Sequence, residues 1–516
     1  MCSWDCNSAV TKTLYSSTFR RQRSKALNAA RAKKSVFLRF KDSVVSNSVL
    51  FPPVPPLAGL CDFESAQRAG LSVSECVDWH KRNHFVLKRL FQLLTAHITA
   101  EPQYELKTAF SHHAYLCAEH VTAIRTRVSE MREPPLGLDV VPHSALGLMC
   151  DEVLCAPTTE ALLIGVYEVL VPELIASFEA YVATTNPLTD APSVRVARFA
   201  LLELRDMAEF GRRALMADTN GIGQRLSAWR TLLRDCLNAA GGLSGRLPQQ
   251  TLELNPIFAT QPFEFELVPR RDARFHDSYN GGVNPEAFLY DERFSPRDKV
   301  LMLFYKRLRE IDVPEMMASI IHQTTGKPWK YYRDMSRQLW DEARHAMLGE
   351  VGFVSQGIDW SSIPINFTWS LNLNTQLSPR ERHAVLFFIE QGLMPRNGKR
   401  FEWEVAIASG IPLAKLIQDF DWADEVLHSQ IGREWYVTEF SDLNTALSYG
   451  DRCWSTVMSQ WQRYRDEGLT EHRNWWPELY REACARWGVT PDPAALAFDQ
   501  TYADVRADLK SITGSA

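Results

Sequence analysis

A repeated four-residue spacing constrains this chain more than its composition does. Trp340-Asp341-Glu342-Ala343-Arg344-His345 holds a Glu-x-x-His step, and Asp424-Glu425-Val426-Leu427-His428 repeats it. On a helix, residues three apart leave the same face one turn apart. Each step therefore offers a carboxylate and an imidazole to one point. Two such helices, with one glutamate from each of two more, make a dinuclear carboxylate site inside a four-helix bundle. With 62 acidic residues and 13 histidines, one match carries little weight. Two matches, each in helical sequence flanked by apolar residues such as Leu339, Met347, Trp422 and Leu427, carry much more.

Start signals place the other two helices. Ser295-Pro296-Arg297-Asp298 and Ser378-Pro379-Arg380-Glu381 each combine a serine cap, a proline in the first turn and an early acid. The first helix is expected to run from 296 toward 324 with a bend at Pro314, and the second from about 328 through His345. The third spans 379 to about 393, and the fourth begins near Pro412. Glu342 lies about 21 Å along its helix from Pro328, at about 1.5 Å per residue. An antiparallel partner should present its ligand at that height, which selects Glu310 and leaves Glu315 roughly 8 Å short. Glu390 is the one acid ending the apolar run that starts at Ala384, and burying it needs a partner or a metal. The expected metal ligands are thus Glu310, Glu342, His345, Glu390, Glu425 and His428. Glu315, Asp341, Arg344, His383, Asp424 and Trp435 are expected around them, as supporting or pocket residues. Oxygen-rich ligands with two imidazoles and no cysteine suit iron or manganese.

The rest of the chain reads as helical. Helices are expected near 73–99, 104–132, 158–184, 193–216 and 221–239, then at 442–466 and 473–487, with little to suggest a sheet. Residues 1–60 read as a basic, proline-rich tail carrying Arg20-Arg21-Gln22-Arg23. Residues 61–240 read as a helical domain, 241–294 as an irregular linker or cap, 295–440 as the metal-binding bundle and 441–516 as a helical extension. In the first half, Glu168, Glu173, Glu203 and Asp206 faintly echo the later ligands, compatible with a duplicated, degenerate bundle. The ten cysteines form no Cys-x-x-Cys pair, which indicates neither a zinc ribbon nor a disulfide scaffold and suits a reducing cytoplasm. The most apolar stretch, 161–183, is interrupted by Glu168, Glu173 and Glu179, so no membrane span is expected. A net charge of -5 argues against nucleic acid as the general partner, although the basic arm is compatible with RNA.

Asp424-Glu425-x-x-His428-x-x-x-Gly432-x-x-Trp435-Tyr436 resembles the last helix of an uncharacterised bacterial ferritin-like family, distantly related to tRNA-modifying di-iron hydroxylases. Pro328-x-x-Tyr331-Tyr332-Arg333-Asp334 with Asp341–His345 resembles its second helix, and Glu390-x-Gly392-Leu393 the end of its third. This chain differs from the family pattern at Pro314. The resemblance implies an all-α, ferritin-like four-helix bundle with additional helices. It also implies a centre of two irons, or of one manganese and one iron. Such a centre activates dioxygen for a hydroxylase, monooxygenase or oxidase acting on a small organic substrate, with an electron-donor protein as a further partner. Rival expectations are a metal-free binding or scaffold protein and a ferroxidase.

Overall fold

The computed structural model describes residues 54–132, 137–216, 226–458 and 461–502. The basic tail, apart from its last few residues, lies outside the described residues. Among the described residues every regular element is a helix. The longer helices of the first half are α1 (Val73–His97), α2 (Tyr104–Glu130), α3 (Ser144–Leu154), α4 (Thr159–Thr184), α5 (Ala191–Met216) and α6 (Ser227–Ala239). The second half contains α7 (Pro296–Arg309), α8 (Asp312–Gln323), α9 (Trp329–Ser355), α10 (Thr368–Gln376), α11 (Pro379–Gly392), α12 (Lys399–Ala408), α13 (Pro412–Trp435), α14 (Leu443–Met458) and α15 (Trp476–Trp487). Helices α3, α10 and α12 fall outside the sequence expectation.

The start signals work as their chemistry requires. Ser295 Oγ caps α7 by accepting from the Asp298 N–H. Ser378 and Glu381 form a reciprocal capping box on α11, and Ser72 and Glu75 do the same on α1. The single helix expected over 296–324 is instead two, α7 and α8, separated at Glu310 and Ile311. Pro314 lacks the N–H that would bond the Glu310 carbonyl, so the chain turns tightly there through Val313 N–H to Glu310 O, 3.0 Å. The break makes Glu310 the C-terminal cap of α7. Within α4 the ladder widens at Ile164–Leu170, where the Val171 N–H reaches back to Val166 O ahead of Pro172. By length and composition α4 could cross a membrane, with a mean hydropathy of 1.8, but 67% of that window is buried inside the protein.

Helices α7/α8, α9, α11 and α13 pack around one another, and α2 lies along α9. The α7–α9 crossing is close because Gly349 and Gly352 face it: a Cβ at Gly349 would stand 2.2 Å from Leu308 N. The two halves expected as separate domains are not separate bodies. The described residues from Pro56 onward form one compact unit, and one apolar core runs from Trp79, Phe91 and Leu174 to Met317, Leu339 and Phe388. Buried polar contacts join the halves as well. Lys107 on α2 donates to Glu315 on α8 at 2.7 Å, and His112 stacks on Trp340 of α9 at 4.3 Å. The irregular segment 241–294 takes part in this join. Arg271 reaches Glu315 at 2.7 Å and the Asn366 carbonyl at 2.6 Å.

Candidate metal centre

Two overlapping sets of ligand atoms meet in the middle of the second-half bundle. Glu310, His345, Asp421 and Glu425 form one, and Glu342, Glu390, Glu425 and His428 the other. Within each set the atoms lie within 4.8 Å of one another. All six residues expected as ligands are brought together, and Glu425 belongs to both sets. Each reaches the centre for a local reason: Glu310 from the broken end of α7, Glu342 and His345 from successive turns of α9, Glu390 from the last turn of α11, and Glu425 and His428 from successive turns of α13.

His345 Nδ1 stands 3.2 Å from Glu310 Oε2 and 3.6 Å from Glu342 Oε2. His428 Nδ1 stands 3.1 Å from Glu342 Oε1, 3.5 Å from Glu425 Oε2 and 3.9 Å from Glu390 Oε1. The rings are 5.9 Å apart, with the Glu342 carboxylate between them. Both imidazoles are fully buried, and Glu310 is the most open of the six, at 17% exposure of its side chain.

The outer ring nitrogens are tied down crosswise. His345 Nε2 donates to Asp424 Oδ2 at 3.1 Å, and His428 Nε2 lies 3.4 Å from Asp341 Oδ2. The aspartate beside each Glu-x-x-His step therefore holds the histidine of the other helix. Arg344 joins the two, donating to Asp341 at 2.7 Å and Asp424 at 2.6 Å, and Arg337 adds contacts to Asp341 at 2.9 and 3.0 Å. This is the arrangement in which a carboxylate fixes the tautomer and aim of a metal-ligating histidine.

Several inward atoms have no hydrogen-bond partner although they are buried: Glu310 Oε2, Glu342 Oε1, His345 Nδ1, Glu425 Oε2 and His428 Nδ1. Buried polar atoms are nearly always satisfied. Five unsatisfied ones converging on one small volume, in a set of oxygen and imidazole donors, fit a pair of hard or borderline divalent cations. Without metal, protons take up part of that role. Burial disfavours a charged imidazole, but the carboxylates of Asp424, Glu310 and Glu342 close around it outweigh burial and raise His345 to about 10. His428 is likewise raised, by Asp341, Glu342 and Glu425 against the cost of burial. Burial, then the charge of Glu425, pushes Glu390 well above the usual carboxylate range, and Gln338 Nε2 donates to it at 3.0 Å. Glu342 moves the opposite way, to about 2, because the imidazoles of His345 and His428 beside it outweigh burial.

Three residues that the spacing did not reveal complete the site. Asp421 lies one turn before Glu425 on the same face of α13, a position the helical period marks. Lys399, at the start of α12, puts Nζ 2.9 Å from Asp421 Oδ2 and 3.0 Å from Glu425 Oε1 with no exposure. Arg307, one turn before Glu310, contacts Asp421 and reaches Glu310 Oε1 at 2.7 Å. Nothing in the sequence around Lys399 marks it as buried, since a lysine at a helix start is ordinarily solvated.

The remaining expected residues stand elsewhere. Glu315 lies beyond the break in a separate buried network with Lys107, Arg271 and Ser370, not at the centre. His383 packs against Tyr331 and Tyr436, and burial lowers it to about 4. Trp435 donates to Asp334 at 2.9 Å and packs edge-on to Tyr331. Both belong to an aromatic layer away from the ligand sets. In the first half, Glu168 pairs with Arg230 at 2.9 Å and Glu203 with His120 at 2.9 Å. Among the described residues the echo of the ligand pattern there gathers no metal-binding group.

Comparison of the chain with protein-family models, with characterised proteins and with solved structures returned no match. The functional reading therefore rests on these residues and their geometry.

Proposed function

We propose that this chain is an oxygen-activating oxidoreductase with a dinuclear centre of iron, or of manganese and iron, in a ferritin-like bundle, acting on a small organic substrate. The observation that carries the reading is the convergence of unsatisfied, buried carboxylate and imidazole atoms from three helices, joined by Glu390 from a fourth, with each histidine braced by an aspartate. Glu310, Glu342, His345, Glu390, Glu425 and His428 would hold the metals. When bound, such a pair supplies the redox chemistry by which dioxygen is activated. The chain's own residues do the rest. Asp341 and Asp424 keep both imidazoles aimed inward, Lys399 and Arg307 offset carboxylate charge, and the apolar core excludes water.

Arg307 and Lys399 also favour a second reading, a metal-free charge cluster that only stabilises the bundle, because buried cations already partner some of the acids. Oxygen uptake by protein loaded anaerobically with ferrous iron separates the two. Uptake proportional to bound iron, and absent in Glu425→Ala, is expected. Iron retained in full by Glu425→Ala refutes the assignment.

A further inference from the structure

A cavity of about 130 Å³ opens beside Glu310, the most exposed of the candidate ligands, and both Glu310 and Arg307 form part of its wall. An apolar cavity of about 150 Å³ holds a benzene molecule, so a single aromatic ring is the right scale. Trp369, Tyr502, Phe388, Met316 and Leu393 supply aromatic and aliphatic walls.

Arg309 is one of two arginines in the wall. The Arg309 side chain is 8% exposed, and its guanidinium lies 4.2 Å from the centre of the Trp369 ring. Among the described residues its guanidinium makes one hydrogen bond, from Nη1 to Tyr502 Oη at 3.0 Å. Nη2 stays 4.0 Å from Glu286 Oε1, too far for a hydrogen bond, and among the described residues Nε has no hydrogen-bond partner. The other charges around the cavity each have an opposite charge beside them, although the Arg307 nitrogens, Glu310 Oε2 and Asp312 Oδ2 form no hydrogen bond. Glu286 takes Lys306 at 3.1 Å and the Tyr502 hydroxyl, and Lys306 is shared with Glu402. Asp312 accepts from Ser370 and from Arg271 at 3.3 Å, and Glu310 pairs with Arg307. Arg309 lines the cavity, and among the described residues its Nε and Nη2 edge makes no hydrogen bond, so that edge matches a carboxylate in bidentate geometry.

We propose that this cavity binds a small aromatic carboxylate, with Arg309 holding the carboxylate and the ring lying against the apolar wall toward Glu310. That this ligand is the substrate rests on the dinuclear-centre reading; its binding does not. The order of the chain supports the link, because Arg309 and Glu310 are adjacent and one faces the cavity while the other faces both cavity and centre.

The test is calorimetric titration of the full chain with phenylacetate and with its neutral counterpart phenylacetamide, with metal content measured on the same samples. Phenylacetate is expected to bind one per chain, at least about tenfold tighter than the amide, since a charge-assisted hydrogen bond is worth about 1.5 kcal/mol or more. Arg309→Met should weaken phenylacetate by about tenfold or more and leave the amide within about twofold, which also shows that the variant folds. Val313→Phe, which fills the cavity from α8, should abolish binding of both with an unchanged helical melting curve. No binding of phenylacetate, or equal binding by wild type and Arg309→Met, overturns the proposal. Phenylacetate binding by protein that takes up no iron or manganese when these are supplied would remove the dinuclear reading and leave the cavity site. Metal-replete protein that binds nothing would do the reverse.

Discussion

Asp424→Asn tests the crosswise bracing of the histidines. Asp424 lies beside Glu425 on α13, yet its carboxylate accepts from His345 Nε2 on α9 at 3.1 Å. Asparagine preserves size and can still accept that hydrogen bond, but it removes the charge that makes the imidazole a stronger ligand. Losing such an outer partner costs roughly ten- to a hundredfold in metal affinity, and retention of the hydrogen bond puts this case near tenfold, about 1.4 kcal/mol. The loss should fall on the His345 side alone. Equilibrium dialysis against buffered ferrous iron under nitrogen, run as a double-mutant cycle, reads this directly. In the His428→Ala background Asp424→Asn should still cost about tenfold, because His345 remains to be held. In the His345→Ala background the cost should vanish. A penalty of equal size in both backgrounds would refute the bracing argument, as would one confined to His345→Ala.

Metal uptake should release protons and strengthen as pH rises, because His345 stays protonated up to about 10 in the metal-free protein. A titration in buffers of different ionisation enthalpy would count those protons. The same raised value stabilises the metal-free fold fully below about 6.5 and ceases to do so as pH rises through about 10, so the metal-free melting temperature should fall across that window while the loaded form is protected. Glu315→Ala leaves Lys107 and Arg271 buried without their shared carboxylate and should destabilise the protein by about 3–5 kcal/mol in chemical denaturation, with metal content unchanged in the folded fraction. Gly349→Ala forces a methyl group into the backbone of α7 at Leu308, so it should cost about 1–3 kcal/mol or more and lower metal content too, because α7 and α9 carry Glu310, Glu342 and His345.

What could be read in the sequence was whatever helical periodicity encodes. The Glu-x-x-His steps, the capped starts of α7 and α11 and the height of Glu310 all follow from a fixed rise and turn, and the structure brings those six side chains to one place. The crossing of Asp341 and Asp424 to opposite helices was not legible, because it depends on how α9 and α13 face each other. Asp421 and Arg307 lie one turn from recognised residues, and the same period could have found them. Lys399 could not be found that way, since its burial comes from the packing of α12, a helix with no strong local signal. The linker expected over 241–294 is irregular up to Asn284, where a short helix, Pro285–Tyr290, begins, and it ties the halves together. Arg271 gives no sequence sign that Glu315, Asp312 and two carbonyls await it. Pro314 was legible as a bend, but its consequence was larger: it ends α7 and presents Glu310 from a helix terminus.

The central claim stands or falls on metal stoichiometry. Elemental mass spectrometry of protein made in iron-replete medium, beside a Glu342→Ala/His428→Ala double variant of matched helical content, should find about two iron (or iron plus manganese) per chain in the wild type and essentially none in the variant. Substoichiometric metal that the double variant retains would contradict the dinuclear centre and leave the buried carboxylates and histidines as a charge cluster of the bundle.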